Sequence, residues 1–496
     1  MKNNQAKKVI IVGAGPGGLS SGMILAHQGY EVTVYEKQGY VGGRTSPQTY
    51  DGFTFDLGPT FVMLPQIFEE TFSLAGKKLS DYVELKRLET MYRLHFSDGR
   101  DFHVYFDKDK LRQEITRLFP DDLKGYDRYL KEQKIKFDKM YPCLKIPYLH
   151  PWSYFNPKLL GAFPYMQIFK SLYQVLSNYF TNKDLRIAMA FQAKYLGMSP
   201  WTCPGPFSIL SYMEHAFGVY HPMGGVHKLT ESMAKVLVEN GGKLKLNQGI
   251  KKILIENKQV VGVQLADDTE DKADLVIMNA DFAYGMTELV AEANRPSWSN
   301  RKLAKSPFSC STFMLYLGLK KKYNFEHHNI IFAKEYQKNV DEISQGILSK
   351  DFSIYIQNAS VTDPSLAPDG KSTIYILVPV PNLESGIDWE KEKTTLRELV
   401  LDKIERDTEM KDIRQQIEVE KMITPLDWQN DKYIYKGATF NLAHTIGQML
   451  YLRPHNRFED VSGLYLVGGG THPGSGLPTI LESGRIAADL IIKDSK

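Results

Sequence analysis

The chain has 496 residues, 43% of them hydrophobic, enough to bury a sizeable core across two or three interleaved domains. A net charge of +3, with lysines scattered along the chain, excludes nucleic acid as a main partner. Cys143, Cys203 and Cys310 are too few and too widely spaced for a disulfide framework or a zinc site, so a reducing cytoplasm is expected.

The opening Met1–Gln5 is polar and no secretory leader is expected. Lys8–Val12 then reads as a buried strand that stops at Gly13-Ala14-Gly15-Pro16-Gly17-Gly18, a G-x-G-x-x-G placed between strand and helix. Gly13 permits the tight turn, Gly15 lets a pyrophosphate approach the backbone, and Gly18 lets the helix from Pro16 to Gln28 pack on the strand, with Gly17 beside it. The helix N-terminus faces the phosphates. Gly29 ends the helix, and Glu31–Tyr35 is a second strand with Glu36 at its tip and Lys37 beside it, where a carboxylate accepts bonds from ribose hydroxyls and repels a 2′-phosphate. NAD and FAD both suit this much. Val41-Gly42-Gly43-Arg44-Thr45 adds a second backbone-only surface and a guanidinium able to clamp a pyrophosphate, which suits FAD. Gly58-Pro59-Thr60 follows, small residues where the chain passes beside a planar ring. The chain shows no second G-x-G-x-x-G after an apolar strand, so a separate nicotinamide domain is not expected.

Asp107–Lys139 mixes charges at helical spacing and reads as a solvated cap. Tyr141–Phe180 has no Asp or Glu, three lysines (Lys145, Lys158, Lys170), five prolines and eleven aromatic residues, a composition that fits either a membrane interface or a lid packed on the protein's own core. No uncharged apolar run approaches the roughly eighteen residues of a membrane span. Leu185–Tyr195 reads as an amphipathic helix broken by Gly197–Pro206, and His221–Leu229 opens a helix that runs to Glu239. His221 and His227 stand six apart with glycines between them and no carboxylate cluster, so no metal is expected. Lys243–Asn247, Ile250–Ile255, Val260–Leu265, Asp274–Ala280, Ser311–Leu319 and Thr373–Pro379 read as strands, Thr394–Arg406 as a helix and Thr424–Lys436 as a loop. Gly463–Val467 is a last strand, Gly468–Gly476 a glycine loop containing Gly470, and Thr479–Ile492 a helix for which Pro478 and Thr479 suit the start, with Ile480 following. That helix N-terminus would stabilise negative charge on a flavin pyrimidine as the ring accepts a hydride.

Val9–Gly18, Val41–Arg44, Asp51–Thr60, Gly224-Gly225, Asp363–Gly370 and Thr471–Pro478 together resemble the bacterial-type carotenoid desaturases, the phytoene and diapophytoene desaturases of the flavin amine-oxidase-like superfamily. The resemblance spans nearly the whole chain. It implies an α/β fold: a Rossmann-type FAD-binding domain (1–70, 220–300, 455–496), an interleaved mixed-sheet substrate domain (71–105, 301–454) and a helical, aromatic-rich, membrane-facing cap (106–219). It also implies that backbone near Ile250 meets the adenine side, that the substrate is a long polyene precursor extracted from the cell membrane, and that a quinone or dioxygen reoxidises the flavin. Forming C=C then requires a hydride to leave one carbon and a proton its neighbour. Candidate bases are Glu214, His472 and Glu482, each also readable as structural. Two other functions stay open on this scaffold, a terminal-methyl oxidase of carotenoids and a non-catalytic isoprenoid escort; intact Gly13, Gly15, Gly18 and Glu36 speak against the escort, and the Thr471–Gly474 loop resembles the desaturase version.

Overall fold

The structure is a computed structural model that describes residues 6–495; the polar opening Met1–Gln5 lies outside the described residues. Its first sheet has five parallel strands in the order Leu464–Leu466, Leu275–Met278, Lys8–Val12, Glu31–Tyr35, Lys243–Lys245. A parallel sheet is covered on both faces, and the alternation along the central strand shows how. Val9 and Ile11 pack with the helices Pro16–His27, His227–Glu239 and Leu477–Asp494, while Ile10 and Val12 pack with the antiparallel layer that begins with Ile250–Glu256 and Gln259–Leu265. Asn257 and Lys258, both at positive φ, make the tight turn of that hairpin.

The two chain ends are joined by helix packing. The Pro16–His27 and Leu477–Asp494 helices lie against each other, with Ser20 donating to the Leu481 carbonyl at 3.0 Å across 461 residues of sequence. Gly484 presses on the Gly17 carbonyl so closely that a side chain at 484 has no room.

The second sheet has seven strands in the order Ile417–Ile423, Ser311–Leu319, Ser372–Val380, Ile354–Asn358, His328–Ile331, Thr90–His95, Asp101–Tyr105. It is antiparallel except where His328–Ile331 meets Thr90–His95. Leu315 and Leu317 face the helix Trp389–Asp407, whereas Met314 and Tyr316 face Phe53, Phe55 and Leu57. The helices Lys108–Leu118 and Leu123–Leu144 follow the edge strand Asp101–Tyr105 in the chain.

Three readings of local structure are corrected. Leu185–Tyr195 is not one helix: Lys183–Ala188 is α-helical and Phe191–Leu196 is 3-10, because Phe191 and Tyr195 turn inward to pack on Tyr92 and Phe61. The helix expected from His221 starts at His227, since Gly224 and Gly225 sit at φ +87° and +102° and cannot begin a right-handed helix; Tyr220–Pro222 pairs instead with Leu85–Arg87. Thr424–Lys436 is not all loop, because Thr424 and Asp427 form a capping box that starts a helix at Pro425–Asn430.

Candidate active site

A cavity of about 490 Å³ is lined from both sheets and from the turn Phe191–Tyr195. One end is made of backbone and short polar contacts. Gly13, Gly15, Pro16, Glu36, Lys37, Gly43, Arg44 and Ile250 all reach it. Gly18 does not; a Cβ there would stand 2.6 Å from the Gly13 carbonyl oxygen, so its role is to let the helix close on the strand. Gly17 likewise lies outside the wall, against Asn279 and Gly468. A Cβ at Gly43 would stand 3.8 Å from Gly15 Cα, so two backbone-only surfaces face each other here.

Both helices that point at this end carry no side-chain cap: the N-cap of Pro16–His27 is Gly15 and that of Leu477–Asp494 is Gly476. Their first N–H groups are left for an acceptor from outside the chain. Glu36 accepts the Ala14 N–H at 2.8 Å and the Gln38 N–H at 2.9 Å, which fixes its carboxylate at the strand tip. The Lys37 ammonium lies on the Tyr433 ring, 2.9 Å from its centroid, and burial lowers its pKa. Arg44 differs from expectation. Its guanidinium donates to the Thr439 carbonyl and to Asp281, each at 2.8 Å, so both terminal nitrogens already hold the protein and the free clamp read from sequence is a partly engaged one. Burial pushes Asp281 up, with Arg44 opposing.

The other end is hydrocarbon and aromatic: Leu57, Phe61, Phe191, Ile330, Phe332 and Leu377 form much of it. The loop Gly58-Pro59-Thr60 stands between the two ends and is held from the second sheet. Tyr375 donates to the Gly58 carbonyl at 2.8 Å, and Tyr355 and Thr60 hydroxyls meet at 2.6 Å. Tyr355 also meets His328 Nδ1 at 2.7 Å, and burial holds His328 down at about 3, so it is neutral. Gly470, Pro478 and Ile480 reach the cavity; Thr479 does not, because its hydroxyl donates back to the Gly474 and Gly476 carbonyls.

Two of the three candidate bases are corrected by position. His472 is buried under the glycine loop with its ring edge on Tyr148, 4.9 Å between centroids, and burial beside Arg453 lowers it to about 3. Glu482 lies on the buried side of the terminal helix, bonded to Arg485 at 2.7 Å. Neither lines the cavity. Glu214 stands directly behind its hydrocarbon wall, bonded to Tyr92.

The motifs quoted from distant parts of the chain meet in one buried patch. Asp56 accepts the Val226 N–H at 2.7 Å, while Asp363 accepts the Gly224 N–H and, at 3.2 Å, His221 Nε2. Burial raises Asp56 to about 6. Burial works on Asp363 too, but bonds from His221, Ser365 and Gly224 hold it well below the usual carboxylate range. His221 is thus a partner of Asp363, and no group of three or more metal-ligating side chains occurs among the described residues. Sequence reasoning missed Asn279, Tyr355, His328 and Tyr195. Asn279 had a signal: it follows strand Leu275–Met278 at the carboxyl edge of a parallel sheet, where ligands bind, and its amide donates to the Gly13 carbonyl at 2.9 Å.

Comparison with known proteins agrees with this geometry. The model of the family described as flavin containing amine oxidoreductase matches residues 16–492. A 4,4′-diapophytoene desaturase (4,4′-diapolycopene-forming) of Methylomonas sp is 47% identical, covering 98% of this chain and 95% of its own. An all-trans-zeta-carotene desaturase of Myxococcus xanthus is 35% identical over 100% of this chain and 95% of its own. Putrescine oxidase bound to putrescine superposes with a TM-score of 0.64 at 16% identity, covering 98% of this chain and 99% of its own, which speaks to the fold alone.

Proposed function

For a chain that belongs to the flavin-containing amine oxidoreductase family and is an FAD-dependent oxidoreductase, we propose desaturation of a linear isoprenoid hydrocarbon, a colourless carotenoid precursor, as the reaction. The observation that carries this reading is the joining, in one cavity, of a backbone-lined dinucleotide end to a hydrocarbon end, in a chain 47% identical to a diapophytoene desaturase. That identity ranks diapophytoene ahead of phytoene.

The residues present fit FAD. Gly13, Gly15 and Gly43, with the two uncapped helix N-termini, would receive the diphosphate and the flavin's acceptor oxygens; Glu36 would take the ribose, Lys37 and Ile250 the adenine side, and Gly58-Pro59-Thr60, Gly470, Pro478 and Ile480 the ring. When bound, FAD supplies a hydride acceptor. A hydrocarbon offers nothing to hydrogen-bond, so the chain's part is to orient it on apolar walls and keep water away. A quinone or dioxygen is the proposed oxidant of the reduced cofactor.

The membrane surface is the proposed source of the substrate. Within Pro151–Lys170, Trp152 is 78% exposed, Phe155 66% and Phe169 91%, with Lys158 and Lys170 exposed among them. Rings and ammonium groups so placed suit a headgroup layer over anionic lipid. The flanks read in the same segment behave otherwise: Tyr148 and Phe180 are buried, and Lys145 is held by Glu70. No helix among the described residues is long and apolar enough to cross a membrane.

Expression in cells that accumulate either the C30 or the C40 colourless precursor tests the reaction, read by pigment absorption and product mass. A coloured C30 product is expected. Unchanged precursor in both hosts removes the reading, and oxidation of a supplied coloured carotene under those conditions would replace it with the methyl oxidase.

A further inference from the structure

One amine reaches the hydrocarbon end without a polar partner in the chain. Lys194 lies on the 3-10 turn Phe191–Leu196, where side chains three apart stack on one face, so it stands beside Phe191 and both line the cavity. Phe191 is buried, while Lys194 stays partly exposed. Among the described residues its Nζ makes no hydrogen bond and no ion pair, and its cationic contact is with the Tyr336 ring, 5.6 Å from the centroid.

The turn is wedged between the two parts of the site. Tyr195 packs edge-on against Phe61, 5.5 Å between centroids, the residue that follows Gly58-Pro59-Thr60. Gly197 ends the turn at φ +65°, and a Cβ there would stand 2.6 Å from the ring of Phe440, the residue that follows Thr439, whose carbonyl holds Arg44. Lys194 is thus rooted where the proposed ring-side loop enters the hydrocarbon wall.

A base for the reaction must reach the cavity with a lone pair to spare. None of Glu214, His472 and Glu482 lines it. The carboxylates that do belong to the dinucleotide end: Glu36 holds two N–H groups, Asp281 pairs with Arg44, and Asp431 lies two residues before Tyr433, whose ring carries Lys37. His328 has Nδ1 on Tyr355 and Nε2 buried. Apart from hydroxyls and the Cys310 thiol, Lys194 is what remains at the hydrocarbon end. The titratable groups that face it are Cys310, next to the strand Ser311–Leu319, Tyr336 on the helix Tyr336–Ser344 and Tyr195 on its own turn, with Tyr92 packed on the neighbouring Phe191. None is a carboxylate, so nothing in the chain holds the charged form.

We propose that Lys194 is the catalytic base of the desaturation, a neutral amine that takes the proton directly from the substrate. This rests on the desaturase reading. As a hydride leaves one substrate carbon for the cofactor, the C–H bond on the neighbouring carbon breaks and its electron pair becomes the new π bond. The proton joins the lone pair on Lys194 Nζ. The substrate loses two electrons with the hydride, FAD gains the same two, and the ammonium gives its proton to water before the next turnover. Only the neutral amine serves, because an ammonium has no lone pair and repels the allylic cation that develops beside it. Burial lowers Lys194 to about 8, with Cys310 opposing, which leaves the neutral form within reach.

The test is anaerobic single-turnover reduction of the FAD-loaded protein by the precursor, followed by flavin absorbance, for the wild type, Lys194→Met and Lys194→Arg. Methionine keeps the shape without the amine, and arginine keeps the cation without a usable lone pair. Both are expected to slow reduction about a hundred- to ten-thousandfold at saturating precursor, with the concentration for half-saturation nearly unchanged. The wild-type rate is expected to rise with pH through about 8 and level off above it, and Lys194→Met to lose that rise. Cys310, pushed up to about 11, lies above this window, and Glu214, raised to about 7 behind the wall, lies below it, so Glu214→Gln keeps the rise. Equal FAD content and thermal midpoints separate a chemical effect from misfolding. Without any substrate, reductive methylation of the FAD-loaded protein with ¹³C-formaldehyde labels its lysine amines, and the resonance missing from Lys194→Met is expected to titrate near pH 8. A Lys194→Met or Lys194→Arg protein that carries FAD and reduces within about threefold of the wild-type rate, a rise with pH that survives in Lys194→Met, or a Lys194 amine that stays charged through pH 10 each overturn the proposal. A wild type whose flavin stays oxidised with both precursors removes the desaturase reading instead, and this step with it.

Discussion

The two ends of the cavity are built on opposite principles. At the dinucleotide end the chain presents its backbone: glycines at positive φ (Gly13, Gly43) or with no room for a Cβ (Gly18), and helix N-termini without caps. At the hydrocarbon end it presents side chains, rings and branched residues, among which hydroxyls, a neutral His328 and Lys194 are the polar features, with Glu214 hidden behind them. Backbone recognition demands local sequence, because close approach must be written into consecutive residues. Side-chain walls do not; they are assembled from strands and turns far apart in the chain.

Breaking the first end should have the larger effect. Gly18→Val puts a Cβ 2.6 Å from the Gly13 carbonyl and 2.9 Å from Asn279, where backbone cannot yield cheaply. Overpacking of this kind costs about 1–3 kcal/mol or more. The purified variant is expected to carry no flavin and to recover none from excess FAD, as read by the ratio of flavin to protein absorbance. Retention of a full flavin complement would mean that the Gly13–Gly18 backbone does not set the site.

This asymmetry explains what was legible in the sequence. Lys8–Val12, Glu31–Tyr35, Leu275–Met278 and Leu464–Leu466 lie inside the strands read from apolar runs, and Gly13, Gly15, Gly43, Arg44 and the Gly470–Ile480 loop reach one cavity although they come from opposite termini. Phe191, Tyr195, Ile330 and Tyr355 left no mark, because a residue on an antiparallel strand or a 3-10 turn shows its neighbours only after folding. His472 misled for the reverse reason. Its conspicuous loop is a packing device, held from beneath by the fully buried Arg453, which donates to the Thr471 and Gly469 carbonyls at 3.0 and 2.7 Å.

The hydrocarbon end can be probed through the carboxyl hidden behind its wall. Glu214 is raised from 4.5 to about 7 in the folded protein, so between those pH values the native state holds a proton that the unfolded chain has released. Stability from this group is therefore fully present below about pH 4.5 and is lost as pH rises to about 7, a penalty of at most about 3 kcal/mol. Glu214→Gln removes the slope. Relative to wild type, the variant should unfold at a higher temperature at pH 8 than the difference at pH 5 predicts, and equal differences at the two pH values would place Glu214 in a more polar setting than its burial implies.

The smallest effect on the folded protein is expected from exposed rings outside the cavity lining. Trp152→Ser combined with Phe169→Ser removes two rings that are 78% and 91% exposed, so thermal midpoint, FAD content and reduction by detergent-solubilised precursor should be unchanged. Binding to anionic phospholipid vesicles should fall on the order of tenfold for each ring lost from the interface, measured by co-sedimentation. Pigment formation in cells should fall with it under the proposed supply of substrate from the bilayer. Unchanged vesicle binding would assign the rings to another contact and leave the hydrocarbon end without its proposed route of supply.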